Sequence, residues 1–346
     1  MKISRRQAIF DTLRREIATG AYPPHEALPG EHALCARFGV ARATLRLALG
    51  DLEQRGLIYK HHGSGTFANP VRSLMSKPLG LLLREPQKAT TVGNVPIISG
   101  AGYYLESVGS YVALLSAPPD EWQSNTVGAI AGVIIVPPLV THADLDRLTR
   151  LSLPWVTVAD SLLPGPSVHF GYDSAVKGLI AELLRLGHRR FAMISGHDAH
   201  GDAIRKGAIE SALGDVGIDF RTVTDLRTNY DATSAWEAAN HLLDSQRRAT
   251  AVICFDDTLA LQMVRACSER GIGVPDEMSV VGFGDAPHAA LVTPALTTVR
   301  IPFEHAGRVA AEMLCRTVLH GEPPASIDLG HTICLRESTG TAIAEH

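Results

Sequence analysis

The sequence predicts an α/β protein in two parts: an N-terminal winged helix-turn-helix domain and, behind it, a larger body of doubly wound parallel sheet. Three observations predict this. Leu28 to Ala68 reads as helix, glycine turn, helix and glycine-tipped hairpin. From Leu79 onward, short runs apolar on both faces alternate with helical segments, the texture of parallel strands buried between helix layers. Charge divides at the same place, since residues 1 to 72 hold eleven Lys/Arg against six Asp/Glu, leaving 21 against 30 for the remainder. A basic head on an acidic body is the distribution that DNA binding by the head alone requires, although small domains also vary by several charges by chance.

The first helix is expected over Arg6–Thr19, where Ile9, Leu13 and Ile17 repeat at four and Gly20 ends the pattern. Pro29-Gly30-Glu31 opens the second, with Gly30 as N-cap and Glu31 placing negative charge on the free N–H groups of the first turn. Leu34 and Phe38 face inward, and Gly39 breaks the helix. A third helix follows from about Ala41 to Arg55, with Leu45, Leu49 and Leu52 as its buried stripe. Its exposed residues include Arg42 and Arg46, one turn apart with Thr44 between them, so two guanidinium forks and a hydroxyl project from the end that would enter a major groove. Leu57-Ile58-Tyr59 and Thr66-Phe67-Ala68 are short β runs around His61-His62-Gly63-Ser64-Gly65, whose glycines let the tip approach a phosphate backbone closely. A solvated charged face on a small helical domain is the competing interpretation of the same arginines.

Residues 69–78, with prolines at both ends and no periodicity, form the expected linker. Strands are expected at Leu79–Leu83, Tyr111–Ser116, Gly132–Val136, Trp155–Ala159, Phe191–Ile194, Ala251–Phe255 and Ser279–Gly282, with helices such as Asp173–Leu186 and Asp231–Leu243 between them. Ligands in such sheets bind beyond the carboxyl ends of the strands, where Asp160, Asp256, Asp257, Gly284 and Asp285 fall.

At 346 residues and 45% hydrophobic, the chain is long enough for two or three cores of ordinary size. The start lacks an apolar leader and no apolar run approaches a membrane span, so a cytoplasmic protein with no membrane partner is expected. Five scattered cysteines without close ligand spacing read as reduced and buried, and no metal or cofactor is expected. No Walker loop, GxSxG, HExxH or Cys/His cluster is present, so catalytic residues are not expected and an enzyme is disfavoured.

The segments LPGE, FGVARATLR, DLEQRGLI and HGSGTF, in register between Ile9 and Phe67, resemble the winged helix-turn-helix of GntR-type bacterial regulators. Carried over position by position, the resemblance implies contacts to double-stranded DNA from His32, Arg42, Thr44 and Arg46, and from the wing at His62, Gly63 and Gly65. Gly30 stands where that family usually has Ser, and His32 where it often has Arg.

A second resemblance covers Leu79 to Ser338. LRLGHRRFAMISG, AVICFDDTLAL, RGIGVPDEMSVVGFGD, TPALTTVRIPFEHAG and CLREST follow the order and approximate spacing of the LacI-type effector domain, itself similar to periplasmic sugar-binding proteins. The whole chain therefore resembles the GntR/LacI hybrid regulators.

That resemblance implies a head over 1–68, a linker over 69–78 and an effector domain over 79–338, whose two α/β subdomains are joined by three crossovers around a cleft. The crossovers are expected near Asp160–Pro164, Ala286–His288 and Leu319–Pro324. This gives an N-subdomain of about 79–160 and 288–319 and a C-subdomain of about 162–286 and 324–338. A small sugar-like effector would lie between them, against Arg205, Tyr230, Asp256, Phe303 and Asp160. Tyr230, Asp256 and Phe303 could equally serve interdomain packing, and the competing interpretation of Arg205 is a surface helix arginine. Gly284 stands where the family carries the first of two aspartates, which leaves Arg205 as the expected main anchor. The expectation is a homodimeric, effector-controlled regulator of transcription that acts, as the resemblance implies, as a repressor; the competing expectation is a solute-binding or sugar-handling protein with a vestigial head.

Overall fold

The computed structural model describes residues 5–18, 21–22, 27–54, 57–61, 65–68, 75, 77–83, 93–136, 140–160, 162–196, 201–245 and 249–343. Most of the expected linker and the wing tip at His62 and Gly63 lie outside these residues.

The head is built from three helices and a hairpin: α1 (Arg5–Ala18), α2 (Glu31–Phe38), α3 (Arg42–Gln54), β1 (Ile58–His61) and β2 (Gly65–Ala68). Ile9, Leu13 and Ile17 of α1 join Leu45, Leu49 and Leu52 of α3 in one buried cluster, so the four-residue spacing on both helices becomes a single core. Gly39 ends α2 in the left-handed conformation at φ 61°, which an L side chain resists, and so sets the turn into α3. Arg37 of α2 donates to Glu16 of α1 and to the Tyr22 hydroxyl at 3.0 Å, while Arg6 pairs with Asp51 of α3. In the hairpin Tyr59 pairs across from Phe67, their rings stacked at 5.5 Å between centroids. Leu28 N–H donates to Thr66 O at 2.7 Å, which ties the entry of α2 to the wing.

The body begins with β3 (Leu79–Leu82), α4 (Asn94–Ser107), β4 (Val112–Leu115), α5 (Ser124–Ala129), β5 (Gly132–Ile135), α6 (His142–Arg150), β6 (Trp155–Val158) and β7 (Ser167–His169). The chain then enters the second half with α7 (Tyr172–Arg185), β8 (Phe191–Ser195), α8 (Gly201–Gly214), β9 (Thr224–Arg227), α9 (Ala232–Leu243), β10 (Ala251–Cys254), α10 (Asp257–Glu269), β11 (Ser279–Gly284) and β12 (Thr297–Arg300). It returns as α11 (Phe303–His320) and β13 (Ile327–Asp328), and crosses once more into β14 (Thr332–Cys334).

Among the described residues two six-stranded sheets result, in the orders β4-β3-β5-β6-β7-β13 and β9-β8-β10-β11-β12-β14. Every pairing in them is parallel except β12 with β14. Strands β3, β5, β8, β10 and β11 are buried along their whole length, as their two-faced apolar runs require.

Sheet membership corrects the expected crossovers. Strand β7 pairs with β6, so the first crossing falls at 170–171 rather than 160–164. Strand β12 still pairs with β11, and the second crossing falls at 301–302 rather than 286–288. Strand β13 pairs with β7 while β14 pairs with β12, which puts the third at 329–331 rather than 319–324. The N-subdomain thus gains β7, and its returning segment is α11 with β13; residues 288–300 belong to the C-subdomain. The reason is physical: the strands that flank the hinge are two to four residues long and polar on one side, so they lack the apolar run that marks the central strands.

The candidate effector cleft and DNA-binding face

Where the two halves meet, aromatic side chains from both form a continuous apolar cluster. Phe170 of the first crossover sets its ring edge-on to Phe303 at the start of α11, 5.5 Å between centroids. Tyr172 at the start of α7 meets Phe283 of β11 at 5.1 Å, again edge-on. Asp160, after β6, accepts the N–H groups of Phe170 and Tyr172 on its two oxygens, each at 2.5 Å. Both oxygens of Asp160 therefore hold the first crossover, a bracing role different from the ligand contact expected of it. His331 in the third crossover lies 3.0 Å from the Phe170 carbonyl, and Leu329 N–H donates to His169 O at 2.9 Å.

Arg205 on α8 lies at the centre of this region. It is only 6% exposed, with its guanidinium carbon 5.1, 4.9 and 5.0 Å from the ring centroids of Tyr172, Phe255 and Phe283. Asp202, one turn earlier on the same helix, accepts from Arg205 Nη2 at 2.8 Å. The Tyr230 hydroxyl donates to the same Asp202 oxygen and accepts from Arg205 Nη2 at 3.3 Å. The other Asp202 oxygen accepts Gly196 N–H at 3.0 Å. Gly196 must be glycine, because a Cβ there would overlap the Tyr230 ring. Tyr230 itself is held at φ 59°, a costly conformation for a bulky side chain that the surrounding contacts enforce. Burial works against the Arg205 charge, but Tyr230 and Asp202 outweigh it and hold the guanidinium pKa above its ordinary value. Arg205 Nε is buried without a hydrogen-bond partner.

Asp256 is the N-cap of α10, its Oδ1 accepting the N–H groups of Thr258 and Leu259 at 2.6 and 3.2 Å. Burial pushes its carboxyl pKa up, opposed by those N–H groups and by Arg205. Its neighbour Asp257 accepts the Ala286 N–H and the Thr298 hydroxyl, both at 2.6 Å, and burial pushes it up to about 6. Asp285, just after β11, bridges Arg300 Nε and Arg336 Nη2 at 2.6 Å each. It thereby ties the end of β12, before the second crossover, to the segment following β14, after the third. Burial would raise the Asp285 pKa, but the two arginines bring it below the ordinary carboxylate value.

Of the residues expected in the cleft, Arg205, Tyr230 and Asp256 form one electrostatic group, and Phe303 belongs to the wall beside Phe170. Sequence reading missed Asp202, Tyr172, Phe255 and Phe283. Asp202 carried one available signal, its place three residues before Arg205 on a helix, where side chains meet. The aromatic residues come from segments with no shared motif.

On the head, His32, Arg42 and Arg46 are exposed and Thr44 is half-buried. Arg46 Nε donates to both Glu31 oxygens, at 3.1 and 3.0 Å, in an exposed pair that solvent screens. Gly65 opens β2 at φ 122°. Leu47, beside Arg46, is an exposed apolar residue on the same helix that sequence reading did not single out.

This architecture defines a DNA-binding regulator with a hinged ligand domain. Residues 5–68 match the model of the bacterial regulatory proteins of the gntR family, and residues 180–339 that of the periplasmic binding protein-like domain. The chain is 29% identical over 325 residues to the arabinose metabolism transcriptional repressor of Geobacillus stearothermophilus, covering 87% of this chain and 88% of that protein. A LacI family transcriptional regulator from Enterococcus faecium with bound ribose shares the fold, with a TM-score of 0.69 at 22% identity, over 77% of this chain and 99% of that one. The transcriptional regulator CelR in complex with cellobiose does so with a TM-score of 0.68 at 21% identity, over 90% of this chain and all of its own. The chain is thus similar to the GntR/LacI hybrid transcriptional regulators, with a head that matches the gntR family and a body that matches the periplasmic binding protein-like domain. No helix among the described residues is long and apolar enough to cross a membrane.

Proposed function

We propose that this chain is a sequence-specific, DNA-binding repressor whose operator binding is controlled by a small sugar or sugar derivative in the cleft. The observation that carries the ligand half is Arg205: a buried cation walled by aromatic rings, with one donor unmet, at the junction of two subdomains that three crossovers hinge together. Cleft closure about such a hinge is a two-state movement, and a ligand that binds one state better shifts it. Arg205, Tyr230 and Asp256 hold the ligand, Phe303 walls it, and Asp160 braces the crossover beside it. The relatives that regulate arabinose metabolism or bind ribose and cellobiose support a sugar.

In the DNA half, Arg42, Thr44 and Arg46 enter the major groove, His32 contacts a phosphate, and the wing at His62, Gly63 and Gly65 lies along the backbone. Arg46 exchanges its Glu31 pair for a base edge or phosphate. The working unit is a homodimer on a near-palindromic site. Its surface includes the sheet edge at β4, where Leu114 is 62% exposed, and the outer face of α4, where Tyr103 is 67% exposed. The protein is cytoplasmic and non-enzymatic, and works without metal or cofactor.

The experiment is a gel shift of DNA upstream of the chain's own gene. A specific shift is expected, weakened by the sugar that stabilises the protein in a thermal-shift screen. A solute-binding protein with a vestigial head would show no specific shift at any salt concentration.

A further inference from the structure

We propose that Asp202 is a charge filter, restricting the cleft to uncharged, hydroxyl-bearing ligands and turning away sugar acids and sugar phosphates. This rests on the cleft being the effector site, as proposed above.

The arginine in such a cleft would ordinarily invite an anion, because a guanidinium fork matches a carboxylate. Here that place is taken. Asp202 already accepts from Arg205 Nη2 at 2.8 Å, and it is itself held by Gly196 N–H at 3.0 Å and by the Tyr230 hydroxyl. The pair is buried on both sides, with side chains 8% and 4% exposed. A second buried carboxylate, Asp256, lies within the field of the same guanidinium. The nearby arginines of the hinge, Arg300 and Arg336, are both engaged by Asp285. The cage thus holds one cation against two carboxylates, and among the described residues Arg205 is the only buried arginine or lysine.

What the cage lacks is one acceptor, for the buried N–H of Arg205 Nε. The N–H groups of a guanidinium lie in its plane, and with Tyr172, Phe255 and Phe283 packed 4.9 to 5.1 Å from its carbon an acceptor must approach along its edge. A hydroxyl oxygen meets that need without adding charge. A carboxylate meets it too, but brings a negative charge into a desolvated site already in excess of them. Capturing Arg205 from Asp202 is no remedy, since Asp202 would then be the unpaired buried charge.

The test uses the full chain and matched pairs of a neutral sugar and its acid: L-arabinose and L-arabinonate, D-ribose and D-ribonate, D-galactose and D-galacturonate, cellobiose and cellobionate. Thermal shift finds the pair that binds and calorimetry gives both affinities. Wild type is expected to favour the neutral member by roughly tenfold or more, the scale set by one uncompensated charge in a partly desolvated site. Asp202→Asn, which keeps an acceptor for Gly196 and removes the charge, is expected to move the ratio toward the acid by about the same factor. Wild type binding an acid as tightly as its neutral partner overturns the filter and leaves the cleft standing as the effector site. An unchanged ratio in Asp202→Asn overturns it as well. The wild-type ratio decides alone if that variant does not fold. Binding by no member of any pair overturns the filter together with the cleft reading beneath it.

Discussion

Arg205 is tolerable at 6% exposure because Asp202, Tyr230 and three aromatic faces replace the water it has lost. The same logic assigns different work to the carboxylates around it, and one of them makes a pH prediction. Asp257 is raised to about 6 by burial, from an ordinary value near 3.8, so folding favours its protonated form. That contribution is fully present below the unfolded value and is lost as pH rises through about 6. Wild type should therefore lose on the order of 2–3 kcal/mol relative to Asp257→Asn between about pH 4 and 7. Chemical denaturation of both across that range checks this, and a pH-independent difference would refute it. On the head, Arg46→Ala should cost about 1–3 kcal/mol of operator binding and relax discrimination, if the fork reaches a guanine edge. Equal weakening on operator and random DNA would instead make Arg46 a phosphate contact. At this scale the sequence singled out Arg205, Tyr230 and Asp256 inside motifs, and the fold brings these three together. It was silent about Tyr172, Phe255 and Phe283, which become neighbours only through the fold. Asp160 shows why position alone does not assign a role: a carboxylate after a strand serves backbone N–H groups, here those of Phe170 and Tyr172, as readily as a ligand.

Among the elements, α11 links the hinge to the N-subdomain core. Its first residue, Phe303, sets its ring against Phe170 at the candidate cleft, and its length packs along α4 through two glycines. A Cβ on Gly100 would run into the Glu304 carbonyl, and one on Gly307 into that of Ile97. Gly100→Ala or Gly307→Ala must separate the two backbones, for a loss of about 1–3 kcal/mol or more. Such a shift also displaces Phe303, so calorimetry should show weaker ligand binding together with the lowered melting temperature. Central strands such as β5 and β10 were legible because burial on both faces leaves an uninterrupted apolar run. The edge strands β9 and β14 and the hinge strand β7 were not, being short and partly polar. Every crossover was consequently placed too early, by the width of an unseen strand or helix.

For the whole molecule, the Asp285 bridge to Arg300 and Arg336 and the Asp160 brackets tie the crossing segments to one another, so the subdomains are built to move as bodies. In the proposed homodimer, that movement would change the spacing of the two heads. Placing Lys at Leu114 and Tyr103 should give a monomer by sedimentation at micromolar concentration, with the melting temperature little changed, because both side chains are exposed. A dimer that persists would move the interface elsewhere. The central claim is that cleft occupancy governs DNA binding, and couplings of this kind are typically about 1–3 kcal/mol, or roughly 5- to 150-fold in affinity. The most direct measurement is operator affinity by fluorescence anisotropy, with and without a saturating sugar whose binding calorimetry has established, on wild type and Arg205→Ala. The predicted result is operator release within that range for wild type, and no sugar response from Arg205→Ala, which keeps its sugar-free operator affinity. Unchanged operator affinity in wild type with the sugar demonstrably bound would contradict it.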